Sequence, residues 1–284
     1  MKKSRWPFTK DDLLAFKRDG FLYVEDFLPP DGVLRLQQDI HRLIGMFLER
    51  EGLRDAQVPF SPPEFDSGLP ALLKKSRRLG AEVYEAVKKL QSHVRLASDD
   101  RHVDATNALL GTEFSGFASR GWGLRLDHPA EDNFLTQLHQ DYISQLCSPR
   151  GVVYWTPLRD VDAATGPVII YPGSHHAGVF PIEVTGEGSQ GLNIHDEPSV
   201  LSRFEAICPE VKAGDCVMID MLLLHKSSAN RSARTRWALI SRYFDFCEPV
   251  GRKIGWIGGL QDGHSFEKVF PELTVNVAGG QSNG

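Results

Sequence analysis

The chain has 284 residues, 41% hydrophobic and 24% charged, with a formal charge of -5 and a pI near 6.1. That length allows one large β-rich domain with a substantial core. The mildly acidic balance gives no electrostatic reason to expect nucleic acid or an anionic membrane as partner.

The basic start Met1-Lys2-Lys3 leads into Thr9-Lys10-Asp11-Asp12 without the apolar stretch of a signal peptide. Helical patterning dominates the first hundred residues, interrupted by a short strand at Phe21-Leu22-Tyr23-Val24. Pro29-Pro30-Asp31-Gly32 then breaks the chain. Val33, Leu36, Ile40, Leu43, Ile44 and Phe47 recur at helical spacing beyond it. Residues 58–70 read as loop, and residues 72–96 return to helix with Leu79, Val83, Val87 and Leu90 as its buried stripe. From about Glu113 the character changes. Strand candidates appear at 121–127, 134–142, 151–157, 167–171, 216–220 and 236–244, separated by turn signals such as Thr165-Gly166-Pro167 and Ala213-Gly214-Asp215. Residues 184–199 read as a long excursion between strands, of the kind that covers a barrel mouth. No run approaches the ~18 apolar residues of a membrane span. Cys147, Cys208, Cys216 and Cys247 form no C-x-x-C pair, so reduced thiols and a cytoplasmic setting are expected.

These elements predict a mainly β fold with flanking α-helices: a double-stranded β-helix, the cupin-like jelly roll, which carries inward-facing ligands from well-separated strands. One domain is expected over 1–284, with helical support mainly in 10–112, the β-helix core in 113–246 and a tail in 247–284.

His139-Gln140-Asp141, followed by His225, supplies two imidazoles and one carboxylate. That is the donor set of the facial triad that holds non-haem Fe(II) and leaves positions open. On a strand, His139 and Asp141 share a face, and Leu135 and Gln137 share it with them. Gln137 is therefore a candidate polar contact near the metal. His225 follows the apolar run Met218 to Leu224, which reads as buried strand. Arg236 comes eleven residues later, beside small and apolar neighbours on its strand face. A buried guanidinium needs an anion. The distal carboxylate of 2-oxoglutarate would satisfy it by a paired contact, with Ser227 or Ser228 adding a hydroxyl; an internal Asp or Glu would satisfy it equally. Arg242 falls on the same nominal face. His175 and His176 edge the site or brace a turn, and His102, His128, His195 and His264 carry no role. Trp122, Tyr142 and Trp155 are candidate pocket aromatics.

Together these residues resemble the phytanoyl-CoA dioxygenase family of 2-oxoglutarate oxygenases. The matching segments are Lys17-Arg18-Asp19-Gly20-Phe21, His139-Gln140-Asp141, Trp155-Thr156-Pro157-Leu158, Pro172-Gly173-Ser174-His175, Gly214-Asp215, and the series His225, Ser227, Asn230, Arg236. They run from about residue 10 to residue 245. The resemblance implies iron held by His139, Asp141 and His225, with Arg236 and Ser227 at the far carboxylate of the cosubstrate and Trp155 lining the site. It implies an Fe(II)- and 2-oxoglutarate-dependent dioxygenase that uses O2, with ascorbate as a supporting reductant. Its reaction would be hydroxylation, desaturation or cyclisation at an unactivated C–H of a small molecule, with succinate and CO2 released. An aspartate at position 141 argues against halogenation. The rival readings are a zinc hydrolase on the same three ligands and a non-catalytic jelly-roll binding module. Neither substrate identity nor oligomeric state is legible.

Overall fold

The computed structural model describes residues 2–118, 123–129, 131–185, 191–259 and 262–275. Its N-terminal part alternates short strands with helices: β1 (Lys3–Arg5), α1 (Lys10–Asp19), β2 (Phe21–Glu25) and α2 (Pro30–Glu51). Four more helices follow: α3 (Leu69–Lys75), α4 (Arg77–Val87), α5 (Gln91–Ala97) and α6 (Asp100–Leu110). Local chemistry sets these boundaries. Thr9 and Asp12 form a reciprocal capping box at the start of α1, and Gly20 ends it in the left-handed conformation at φ 78°. Pro30 occupies the first turn of α2, where its missing N–H costs nothing.

The expected helix over 72–96 is three helices. Ser76 is extended at φ -163° and Leu90 at ψ 134°, so the chain turns twice and lays each short helix separately on the core. The stripe itself holds: Leu79, Val83 and Val87 are buried, and Leu90 packs against them.

The remaining strands are β3 (Ser115–Phe117), β4 (Gly123–Asp127), β5 (Gly151–Pro157), β6 (Val168–Ile170), β7 (Ile182–Val184), β8 (Leu192–Ile194), β9 (Cys216–Asp220), β10 (His225–Ser227), β11 (Arg236–Asp245) and β12 (Thr274–Val275). Short helices α7 (Asp141–Gln145), α8 (Glu197–Leu201), α9 (Pro249–Ile254) and α10 (Phe266–Val269) punctuate them. A large sheet runs in the order β1-β2-β9-β5-β11-β3, with β4 also paired to β11. β10 pairs β6 in a second sheet, and β12-β7-β8 form a third. The two N-terminal strands thus extend the large sheet beyond the 113–246 segment expected to hold it.

The large sheet is buried on both faces, and its period-two alternation sorts the side chains. Val152 and Tyr154 of β5, Cys216 and Met218 of β9, and Trp237 and Leu239 of β11 face the helical layer, meeting Leu36, Ile40, Ile44 and Val83. Val153 and Trp155, Val217 and Ile219, and Ala238 face the opposite way, toward Val168 and Ile170 of the small sheet and Leu223 and Leu224 just ahead of β10. Two sheets closing on one inner core make the expected jelly roll, and the helices support its outer face. Within 184–199, β8 pairs back on β7 and α8 follows, so the expected long excursion carries structure of its own. Residues 186–190, like Trp122 and the start of the 121–127 strand, lie outside the described residues. Among the described residues no helix is long and apolar enough to cross a membrane.

One turn ties the small sheet together. Gly166 has φ +82°, and a Cβ there would meet the carbonyl oxygen of Ala229 at 2.6 Å, just past β10. Gly166→Ala should therefore lower the unfolding free energy by roughly 1–3 kcal/mol, read as a drop in the urea midpoint. An unchanged midpoint would show that this turn accepts a side chain.

Candidate metal centre

His139 and His225 are brought together by backbone. They form an antiparallel bridge in which each N–H donates to the other's carbonyl, at 3.1 and 3.2 Å. Bridged residues point the same way, and the two rings lie with centroids 4.2 Å apart. Here the structure corrects the sequence reading. Residues 134–142 are not a strand: Asp132–Phe134 is a 3-10 turn, only His139 makes a ladder bridge, and Asp141 opens α7. His139 and Asp141 converge because a bridge is followed at once by a helix start, not because they alternate on a sheet.

Gln140 locks that bend. It is fully buried, its amide nitrogen donates to Gly178 O and Leu222 O at 2.8 and 2.6 Å, and its amide oxygen accepts from Phe180 N at 2.9 Å. One side chain thus supplies the partners that a neighbouring strand would otherwise offer. Across the site, Ser174 Oγ accepts Leu224 N at 2.9 Å and fixes the approach to β10. His175 and His176 brace a turn rather than edge the site, because their Nε2 atoms meet the carbonyls of Lys17 and Arg18 at the end of α1.

The ligand atoms of His139, Asp141 and His225 all lie within 4.8 Å of one another. Nδ1 of His139 is 2.9 Å from Gln137 O, and Nδ1 of His225 is 2.9 Å from Leu223 O. A carbonyl only accepts, so each ring carries its proton on Nδ1 and presents a bare Nε2 to the centre. Nε2 of His225 then stands 3.1 Å from Oδ2 of Asp141, an oxygen that is buried and takes no hydrogen bond. Two lone pairs facing one another at that distance repel unless a cation lies between them. This donor set and its orphaned oxygen fit a divalent metal. Burial pushes the His139 ring down to about 3, helped by the adjacent His225, so the ring is neutral at physiological pH, the form that can bind a metal. Asp141 sits far below the usual carboxylate range: burial opposes this, but Arg242 and the two histidines outweigh it.

The centre opens into a cavity of about 470 Å³, a size suited to a small molecule. Trp155 and Ser227 line it, as does Arg236. Gln137 stands at its rim, but its contribution to the centre is the main-chain carbonyl that orients His139; its exposed amide reaches only Leu135 O. Ser228 Oγ donates to the carbonyl of Pro167, which leaves Ser227 as the hydroxyl facing the cavity. Tyr142 is core: it is buried against Phe266 and Phe270.

Arg236 is 1% exposed and does pair with an internal carboxylate, Asp127, through Nε at 3.2 Å and Nη2 at 2.7 Å. Among the described residues its Nη1 has no hydrogen-bond partner. Arg125, missed from the sequence, takes the other oxygen of Asp127 at 2.8 Å and reaches Thr136 as well. Its signal was available: in the expected strand 121–127, alternation puts Arg125 and Asp127 on one face. Two guanidiniums share one carboxylate, so this end of the cavity keeps a net positive charge. Burial raises the Asp127 carboxyl, yet Arg236 and Arg125 hold it below its usual range.

A jelly roll whose inner face gathers two bare imidazole nitrogens and one carboxylate belongs to the class of mononuclear metal enzymes built on the facial triad. The sequence model described as Phytanoyl-CoA dioxygenase (PhyH) matches residues 16–238. The chain belongs to that family, and with it to the iron- and 2-oxoglutarate-dependent dioxygenases. Ectoine dioxygenase of Sphingopyxis alaskensis is 25% identical over 239 residues, covering 79% of this chain and 72% of the relative. A probable phytanoyl-CoA dioxygenase of Caenorhabditis elegans is 27% identical over 156 residues, covering 52% of this chain and 50% of the relative. Among solved structures, the epimerase SnoN in complex with Fe3+, α-ketoglutarate and nogalamycin RO superposes with TM-score 0.57 at 18% identity, over 85% of this chain and 86% of that one. At that identity the likeness speaks for the fold.

Asp127 offers a test of the charged wall. Asp127→Asn should leave two guanidiniums without their counter-charge and destabilise the protein by roughly 3–5 kcal/mol. Because the folded carboxyl titrates low, its stabilisation is present above the unfolded value of about 3.9 and is lost as pH falls through the folded one. Urea unfolding of both proteins should show the gap closing on acidification; a gap that does not depend on pH would contradict the pairing.

Proposed function

We propose that this chain oxidises an unactivated C–H bond of a small molecule, with Fe(II) held by His139, Asp141 and His225 and with 2-oxoglutarate and O2 as cosubstrates. The observation that carries this reading is the pairing of two features along one cavity. One is an orphaned carboxylate oxygen facing two bare imidazole nitrogens; the other is a buried guanidinium with an unused N–H. The first calls for a cation and the second for an anion, and a metal-chelating dicarboxylate answers both. A zinc hydrolase would need the first and would leave Arg236 Nη1 without purpose.

Arg236 would bind the distal carboxylate of the cosubstrate through Nη1, assisted by the Ser227 hydroxyl and by the positive field of Arg125. Trp155, Val153, Ile219 and Ile240 give the cavity apolar walls that exclude water around the reacting carbon. When bound, iron with O2 and 2-oxoglutarate supplies the oxidising power: substrate C–H, O2 and 2-oxoglutarate give the alcohol, succinate and CO2, and ascorbate serves as a supporting reductant. Desaturation and cyclisation use the same centre. SnoN, which shares this fold, is an epimerase, so the fold by itself does not fix the reaction outcome.

Two substitutions test the assignment by calorimetry on purified protein. His225→Ala should abolish tight Fe(II) binding and turnover, and near-native metal affinity would strike His225 from the ligands. Arg236→Met should weaken 2-oxoglutarate binding by roughly ten- to a hundredfold, equivalent to about 1.5–3 kcal/mol for a charge-assisted contact, while metal affinity stays. Unchanged cosubstrate affinity would return Arg236 to a purely structural pair with Asp127.

A further inference from the structure

Asp141 has two oxygens, and the structure treats them differently. Oδ2 faces the histidines and accepts no hydrogen bond. Oδ1 accepts Nε of Arg242 at 2.6 Å. Asp141 is 1% exposed and Arg242 20%, so this charge-assisted bond is largely shielded from water. Arg242 lies six residues beyond Arg236 on the same face of β11, roughly 20 Å along an extended strand. The two guanidiniums therefore bracket the cavity: one serves its far end, and the other touches the carboxylate of the metal centre. The family match ends at residue 238, so Arg242 stands outside the pattern that places the chain in its family.

A carboxylate can ligate a metal through one oxygen or chelate it with both. Chelation by Asp141 would swing Oδ1 toward the metal and set the ion in competition with Arg242, which now holds that oxygen at 2.6 Å. Two protein nitrogens and one oxygen leave open positions on a facial-triad metal; a second Asp141 oxygen would take one that cosubstrate or oxygen needs. We infer that Arg242 is a positioning residue that keeps Asp141 on the metal through Oδ2 alone and so preserves the open positions. The inference rests on the reading of His139, Asp141 and His225 as a metal site.

Metal affinity is a poor judge of this role, because losing Arg242 removes a helpful orientation and a repulsive positive charge together. Coordination is the better readout. Co(II), which is stable in air, is titrated into the full chain, and its visible absorption is recorded before and after 2-oxoglutarate. Wild type and Arg242→Lys, which keeps a cationic donor, should share one spectrum. Arg242→Met should show a different Co(II) spectrum before any cosubstrate is added. Its Co(II) form should then bind 2-oxoglutarate ~10- to 100-fold more weakly, the usual scale for losing a partner of a metal ligand. A Met variant whose spectrum and cosubstrate affinity match wild type overturns the inference. So does weaker cosubstrate binding with an unaltered spectrum, which would make Arg242 an anion contact. If circular dichroism shows that the Met variant does not fold, Arg242→Gln, a neutral donor, takes its place under the same two outcomes. Wild-type protein that takes up no Co(II) would instead remove the metal site, and this inference with it.

Discussion

Two reciprocal backbone hydrogen bonds between His139 and His225 hold the site together. They join segments 86 residues apart in sequence, fix both rings on one side, and set where α7 must begin. Everything polar nearby is arranged around that bridge. The carbonyls of Gln137 and Leu223 select the ring tautomers, Gln140 fills the gap where a strand would have paired, and Ser174 holds the entry to β10. Each is a short bond from side chain to backbone, so the ligands are held by rigid main chain and not by flexible contacts among themselves.

Val153, Trp155, Ile219 and Ile240 give the inner face of the jelly roll apolar walls, which makes its buried charges informative. Buried ions are kept only with partners. Asp141 is matched by Arg242, and Asp127 by Arg125 and Arg236. The first pair is balanced and contains the carboxylate of the candidate metal centre. The second has one positive charge in excess, at the other end of β11. A cavity prepared in this way favours a cation at one point and an anion at another. The jelly roll makes this possible because β11 pairs with β4 and β5 at once, and so carries charged side chains through a sheet that is otherwise packed.

Much of this was legible in the residues. β5 and β9 appear with the expected boundaries, because strands buried on both faces read as continuous apolar runs between turn residues. The cluster of His139, Asp141 and His225 is legible not from the common His-x-Asp pair but from its company, His225 after an apolar run and Arg236 opening the next strand. What periodicity could not show is where alternation stops. Beside His139 the side chain of Gln140 bonds the backbone of Gly178, Phe180 and Leu222, and no strand pattern records that substitution. The helical stretch over 72–96 likewise gives no sign of its breaks at Ser76 and Leu90, since apolar spacing continues through them. The apolar neighbours of Arg236 call for an anion, and Asp127 is one; the unused Nη1 depends on a three-dimensional count of donors that sequence does not contain. Strand parity puts Arg242 on the face of Arg236 but says nothing of its partner, because Asp141 lies where a bridge turns into a helix start and alternation ends.

The central claim is that one cavity joins a ferrous ion to 2-oxoglutarate. Its most direct measurement is an anaerobic titration of purified protein with Fe(II) and then 2-oxoglutarate, followed by visible absorption. The account predicts a weak metal-to-ligand charge-transfer band that appears only when both are present and saturates at one equivalent of each per chain. A protein that stays colourless under saturating Fe(II) and 2-oxoglutarate would contradict it.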